Sequence, residues 1–300
     1  SLCSPSRASF LTGAYAHEHG VVANERTDPD PALPTYPQLL QESGYETAYI
    51  GKWHMARWSS PREGFDHWVS FNGQGDYTRN TLNVDGDWEL SERYVTDELT
   101  DRALAFLSRP RSGPFLLVVS HKAVHAPCRP APRHAYLYED ADVQPVSTDD
   151  EVEARRRDRY LRDYARSLAS VDEGLGRLRA RLDELGVTRD TAVVYAGDNG
   201  YFMGEHGGLW DKRAAYEESI RVPLLMSYPR AVPKGSTSDA MVLNLDLAPT
   251  LLTLAGVAPP PTMQGRSWLP HLDRAAGRAD VPYESFEAQG RARPPFAARP

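Results

Sequence analysis

The chain reads as an α/β protein on a mixed, largely parallel central sheet with helices on both faces. Two observations carry that expectation. Pro114-Phe-Leu-Leu-Val-Val-Ser120 and Thr191-Ala-Val-Val-Tyr-Ala-Gly197 contain unalternating apolar runs, as strands buried on both sides do. Helical periodicities lie between such runs, the longest through Leu161, Tyr164, Leu168, Val171, Leu175, Leu178, Leu182 and Leu185. Strands alternating with helices predict a sheet covered on both sides. No internal repeat is evident.

Composition narrows the function classes. The 300 residues suit one large α/β domain or two smaller ones. With 41% hydrophobic and 25% charged residues, the composition is that of an ordinary soluble globular protein. A net charge of -7 leaves no basic surplus to neutralise phosphates, so a nucleic-acid partner is not expected. Cys3 and Cys128 are the only cysteines and make no disulfide framework. No stretch is long and apolar enough to span a membrane, and no signal peptide is visible.

Taken in order, Cys3-Ser4-Pro5-Ser6-Arg7 opens a helical-looking run that Gly13 stops. A Cys at a helix N-terminus sits where backbone N–H groups and the dipole favour negative charge. Arg7, one turn further, adds a cation. The stretch is either an anion site holding a nucleophile or a small buried Cys beside an N-capping Ser. Thr35 to Ser43 reads as a helix ended by Gly44. Glu46 to Gly51 reads as a short strand delivering Lys52 and His54 at its C-terminal end, where they build a site or are merely solvated. Residues 55–90, rich in Trp, Gly, Asp and Asn, read as a long surface excursion of the kind that shapes substrate choice. Helical spacing resumes from Glu92 to Arg109 through Val95, Leu99, Ala103 and Phe106.

The strand Pro114–Ser120 ends in His121, Lys122 and His125, either loop histidines or a polar cluster at a carboxyl edge. Loop follows from Ala131 to Thr148, and Asp150 opens the longest helix. Its apolar stripe suits a coiled-coil partner or a sheet face, the second preferred here. Arg155-Arg156-Arg157 on it is expected to be a solvated face. The strand Thr191–Gly197 delivers Asp198-Asn199-Gly200. Adjacent carboxylate and amide oxygens suit Ca²⁺ or Mg²⁺, and the same tripeptide commonly makes a turn. Val222 to Tyr228 is a further strand, and Val242 to Thr250 leads into an apolar helix ending at Gly256. No chemistry is assigned there.

Cys3-x-Pro5-Ser6-Arg7 followed by Ala8-Ser9-x-Leu11-Thr12-Gly13 resembles the signature of the type I sulfatases, in which the Cys is oxidised to formylglycine. Gly51-Lys52-Trp53-His54 matches that family's second motif. Asp198-Asn199, Gly204-Glu205-His206-Gly207, Lys212, Tyr216-Glu217 and Arg221-Val222-Pro223 resemble its third block, and Gln264-Gly265-Arg266-Ser267 is again similar. The resemblance covers nearly the whole chain and implies an alkaline-phosphatase-like fold.

It also implies a chemistry. Cys3, as hydrated formylglycine, would attack sulfur, with Arg7 and Lys52 holding the diol and the sulfate oxygens. Asp198 and Asn199 would hold Ca²⁺ (or Mg²⁺). His125 and Lys212 would flank the leaving group, His54 would deprotonate the remaining hydroxyl, and His121 and His206 would touch substrate. The implied partners are a sulfated small molecule or glycan and a formylglycine-generating enzyme, in a periplasmic or secreted setting.

Active sites of open α/β sheets lie at the carboxyl ends of strands, and no strand precedes Cys3. The chain is therefore expected to lack an N-terminal strand, which in the family carries two metal-binding aspartates. Residues 1–280 are expected to be the catalytic domain, and 281–300 the start of a truncated C-terminal region. The alternatives are a phosphonate monoester or phosphodiester hydrolase of the same superfamily, and a non-catalytic binder of sulfated ligands.

Overall fold

The computed structural model describes residues 2–24, 27–141, 151–269, 278–279 and 282–284. Asp150, most of the segment after Asp280 and the end of the loop before α5 lie outside them. Helix α1 (Cys3–Thr12) ends at Gly13, whose φ of 63° closes the helix in the left-handed region that glycine adopts readily. A single turn, α2 (Ala16–His19), precedes α3 (Tyr36–Glu42), which a capping box between Thr35 and Gln38 starts.

Strand β1 (Glu46–Lys52) pairs in parallel with both β2 (His67–Phe71) and β5 (Phe115–Ser120). β2 continues antiparallel into β3 (Asn80–Val84), and β3 into β4 (Asp87–Ser91), giving the order β4-β3-β2-β1-β5. Residues 55–90 therefore hold three strands, where the sequence reading had a surface excursion. The β3–β4 hairpin had a signal: Asp85-Gly86 takes φ of 51° and 109°, both positive as a type I′ turn requires. The Asp85 carboxylate also accepts the Trp68 N–H at 2.6 Å and pairs with His67 at 2.8 Å, tying the hairpin to β2.

Both sheet faces are covered. Tyr49, Trp68, Leu116 and Val118 point into one core with α1, α3 and α8 (Leu247–Leu254). Ala48, Ile50, Val69, Leu117 and Val119 point into the other, with α4 (Val95–Leu107) and Leu178 and Leu182 of α5 (Glu151–Glu184). The alternation along each strand is what places two cores on one sheet. Helix α5 packs on α4 beside the sheet, and Arg157 departs from the solvated face expected of the basic run. It is 2% exposed and donates to the Gly204 carbonyl at 2.8 Å, because the 201–210 turn folds over this face of α5.

Strand β6 (Val193–Ala196) pairs antiparallel with β7 (Leu224–Ser227), with the single turns α6 (Glu205–Gly208) and α7 (Glu217–Ile220) between them. Among the described residues β5 pairs only with β1, and β6 only with β7. A cavity of about 1340 Å³ lies between β5 and β6, walled by Leu247 and Leu251 on one side and Leu175 and Leu178 on the other. Both strands are consequently half-buried, less than their apolar runs predict. One end of that cavity is formed by Arg7, Lys52, Asp198 and Lys212.

Candidate active site

Cys3 is the first residue of α1, buried to 1% exposure, with Leu2 as the preceding extended residue. Lys212 Nζ approaches its Sγ to 2.9 Å and Lys52 Nζ to 3.6 Å. Lys52 ends β1 and is itself buried, as is Lys212. Burial alone would raise the Cys3 thiol; hydrogen bonds with His125 and His54 and the charge of Lys52 outweigh it and lower the thiol to about 4. Lys52 is lowered to about 8 by burial and by Arg7.

Arg7 follows Cys3 by one turn and clamps the site from below. Its Nε and Nη2 donate to Asp198 Oδ2 at 3.0 and 2.8 Å, and its Nη1 to the Lys52 carbonyl at 2.6 Å and Ser120 Oγ at 2.5 Å. Burial opposes the Asp198 carboxylate, but Arg7, Lys52 and Lys212 hold it at about 2. Asn199 Oδ1 accepts from Lys212 Nζ at 3.2 Å. Ser120, at the end of β5, and Tyr49, whose hydroxyl donates to the Lys52 carbonyl at 2.5 Å, went unnoticed in the sequence. Ser120 had a signal, since it ends a buried run as Asp198 nearly does; Tyr49 read as an ordinary strand residue.

Gly51 allows this closeness. At φ 127°, a Cβ there would fall 2.0 Å from the Ser120 carbonyl oxygen, so the carboxyl ends of β1 and β5 meet only with glycine.

His54 follows Lys52 with a left-handed φ of 59°. Burial lowers its pKa, so the imidazole is neutral at pH 7. Its Nδ1 is 3.5 Å from Ser4 Oγ, and its Nε2 is 2.9 Å from Gln74 Nε2. Gln74 was missed, as nothing in Asn72-Gly73-Gln74-Gly75 points to the site. His125 shares a hydrogen bond with Cys3, and its Nδ1 is held on the Ala126 carbonyl at 2.7 Å.

The structure thus brings Cys3, Arg7, Lys52, His54, His125, Asp198, Asn199 and Lys212 together. His121 lines the adjoining cavity, where burial pushes it to about 4 and leaves Nδ1 without a hydrogen-bond partner. His206 stands apart: it stacks on Tyr216 with centroids 3.8 Å apart and pairs with Glu218 at 3.0 Å. Among the described residues it makes no hydrogen bond to the cluster around Cys3.

Among the described residues no three His, Cys, Asp or Glu side chains converge as ligands. Asp198 and Asn199 offer three side-chain oxygens, of which Arg7 engages Asp198 Oδ2 and Lys212 engages Asn199 Oδ1. Hard cations such as Ca²⁺ take six to eight oxygens, so these residues by themselves do not fit the metal that the sequence resemblance implies.

A family model described as Sulfatase matches residues 1–257. The chain belongs to the sulfatase family. This sulfatase is 34% identical to an N-acetylglucosamine-6-O-sulfatase of Bacteroides thetaiotaomicron, over 91% of the chain and 62% of that protein. It is 29% identical to an extracellular sulfatase SULF-1 homolog of Drosophila melanogaster, over 90% of the chain and 27% of that protein. The sulfatase chain therefore spans under two thirds of either relative. A protein solved in complex with its substrate D-glucosamine-2-N,6-O-disulfate superposes with a TM-score of 0.87 at 32% identity, covering 96% of this chain and 75% of that one. The fold is accordingly that of the sulfatases, as the sequence predicts.

Proposed function

We propose that this sulfatase chain is the catalytic part of a sulfuric ester hydrolase acting on 6-O-sulfated amino sugars within sulfated glycans. One observation carries the reading. Three cations, Arg7, Lys52 and Lys212, surround a single buried nucleophile position, and among the described residues Asp198 is the carboxylate that pairs with Arg7 there. A site so charged favours an ester that is already anionic and gains negative charge on its oxygens as the bond breaks. The 6-O-sulfatase relative and the disulfated glucosamine bound by the structural neighbour support the substrate class.

Conversion of Cys3 to formylglycine by a maturation enzyme would supply a geminal diol as nucleophile. Around it, Lys52 and Arg7 hold sulfuryl oxygens. Lys212, 2.9 Å from Cys3 Sγ, holds a proton for the leaving oxygen, and His54, neutral at pH 7, takes the proton of the hydroxyl that remains, so that sulfate is expelled and the aldehyde re-forms. His125 orients the same group, and His121, on the adjoining cavity, is the outer substrate contact. A Ca²⁺ or Mg²⁺ ion at Asp198 and Asn199 needs more oxygen donors than the described residues bring together there. An exported setting, periplasmic or secreted, agrees with the extracellular relative. Among the described residues no helix is long and apolar enough to cross a membrane.

The test is coexpression of the protein with a formylglycine-generating enzyme. Mass spectrometry of the Cys3 peptide and release of sulfate from D-glucosamine-6-O-sulfate would follow. Sulfate release that tracks conversion of Cys3 supports the reading. Faster hydrolysis of an aryl phosphodiester than of an aryl sulfate, or binding without hydrolysis after full conversion, overturns it.

A further inference from the structure

A second pocket, of about 470 Å³, has His54 in its wall but not Cys3. Arg57, Trp58, Asn24, Asn72 and Gln74 line it together with His54, and no carboxylate does among the described residues. Its volume is within the range that holds small-molecule ligands.

Two of the lining amides, Asn24 and Asn72, have their oxygens committed, while the Gln74 NH₂ is taken up by His54. Asn24 Oδ1 accepts the Ser4 N–H at 3.0 Å, and Asn72 Oδ1 accepts the Ser59 N–H at 2.8 Å. A backbone N–H can only donate, so the oxygen end of each amide is committed and the NH₂ end is the one left for a ligand. Arg57 has no carboxylate partner among the described residues; its guanidinium lies 5.2 Å from the centre of the Trp58 ring. Stacked on that ring, the planar fork is preset for a bidentate oxyanion. Trp58 itself stays 55% exposed, unusual for so large an apolar side chain and suited to the C–H face of a sugar ring.

We propose that this pocket is a subsite for a second anionic substituent of the substrate, with Arg57 gripping the oxyanion and Trp58 the pyranose that carries it. The inference rests on the sulfate-ester reading above. His54 links the two places, since it shares a hydrogen bond with Cys3 and lines the pocket. The second group can come from two sources, another sulfo group on the same ring or an acidic group on the neighbouring ring. Residues 55–90 would then set specificity through two adjacent side chains at the edge of the site.

The experiment is calorimetric titration of the unmatured, thiol form of the chain, which binds without turnover. The three probes are D-glucosamine-6-O-sulfate, D-glucosamine-2-N,6-O-disulfate, and a disaccharide joining a uronate to glucosamine-6-O-sulfate. One of the two dianionic probes should bind about tenfold or more tightly than the monosulfate, the gain of one charge-assisted bidentate contact. Which of them gains identifies the source. Arg57→Ala should abolish the gain while leaving monosulfate affinity unchanged, and Arg57→Lys should restore only part of it. Equal affinity for all three probes overturns the subsite and leaves the sulfate-ester reading intact. A gain that survives both Arg57→Ala and Trp58→Ala does the same. Failure of every probe to bind overturns both.

Discussion

Lys212 Nζ lies 2.9 Å from Cys3 Sγ although 209 positions separate them in the chain. The contact joins the first turn of α1 to the segment after α6, beside the His54, His125 and Lys52 groups that lower the Cys3 thiol.

The first prediction concerns that thiol. With the thiol lowered to about 4, Cys3 of the unmatured chain is a thiolate at neutral pH, while burial pushes Cys128 up to about 11. Ultraviolet thiolate absorbance should titrate near pH 4, and a His54→Ala, His125→Ala double variant should move that step upward by removing two hydrogen bonds to sulfur. A single step at pH 8 to 9 in the unaltered chain would show that the surroundings do not stabilise the thiolate.

Asp198 and Arg7 make a linkage prediction. The carboxyl is held at about 2 in the fold against an ordinary 3.8, so its stabilising contribution is present above pH 3.8 and lost as pH falls through about 2. Asp198→Ala should cost about 3 kcal/mol at pH 7, since Arg7 is left as a buried charge without its carboxylate. In urea unfolding, the gap between variant and parent should narrow between pH 4 and 2; a gap independent of pH argues against the ion pair.

Lys52 predicts an alkaline limit. Its ammonium loses the proton near pH 8, so affinity for inorganic sulfate should fall as pH rises through that value. Lys52→Arg should carry the limit beyond the measurable range, because a guanidinium stays charged. Sulfate binding that is flat from pH 7 to 10 would exclude Lys52 from the anion site.

Gly51→Ala should be among the costliest single changes outside the core. The added Cβ meets the Ser120 carbonyl oxygen at 2.0 Å, and neither backbone can yield without parting β1 from β5. A loss of about 3 kcal/mol or more is expected in chemical denaturation. A loss under about 1 kcal/mol would mean the two strand ends are not held this close.

Calcium makes the last prediction. Three side-chain oxygens, two of them already in hydrogen bonds, should bind Ca²⁺ weakly, and millimolar Ca²⁺ should hardly raise the melting temperature of the 1–300 chain. Micromolar affinity would require donors that the described residues do not bring together.

Much of this was legible in the chain itself, because it is encoded locally. Gly13 ends α1 through its own backbone freedom, Thr35 and Gln38 cap α3 three residues apart, and the apolar runs at 115–119 and 192–196 became β5 and β6. Cys3, Arg7, Lys52, His54, His125, Asp198, Asn199 and Lys212 could be named because each falls at a position of a stretch that resembles a sulfatase motif. The β3–β4 hairpin was equally local, and its Asp85-Gly86 signal was passed over amid a Trp-rich stretch of weak periodicity.

Contacts between distant segments were decided only by the tertiary structure. Arg157 lies in a run of three arginines that sequence alone assigns to solvent, yet the turn at Gly204 closes over it. His206 belongs to the same motif block as Lys212 and still points away, onto Tyr216 and Glu218. Gln74 reaches His54 across twenty positions without any sequence mark. The physical reason is the same in each case. Strand and helix periodicities fix which residues arrive at a carboxyl edge, whereas the direction and partner of each side chain depend on how loops from separate crossovers fold against one another.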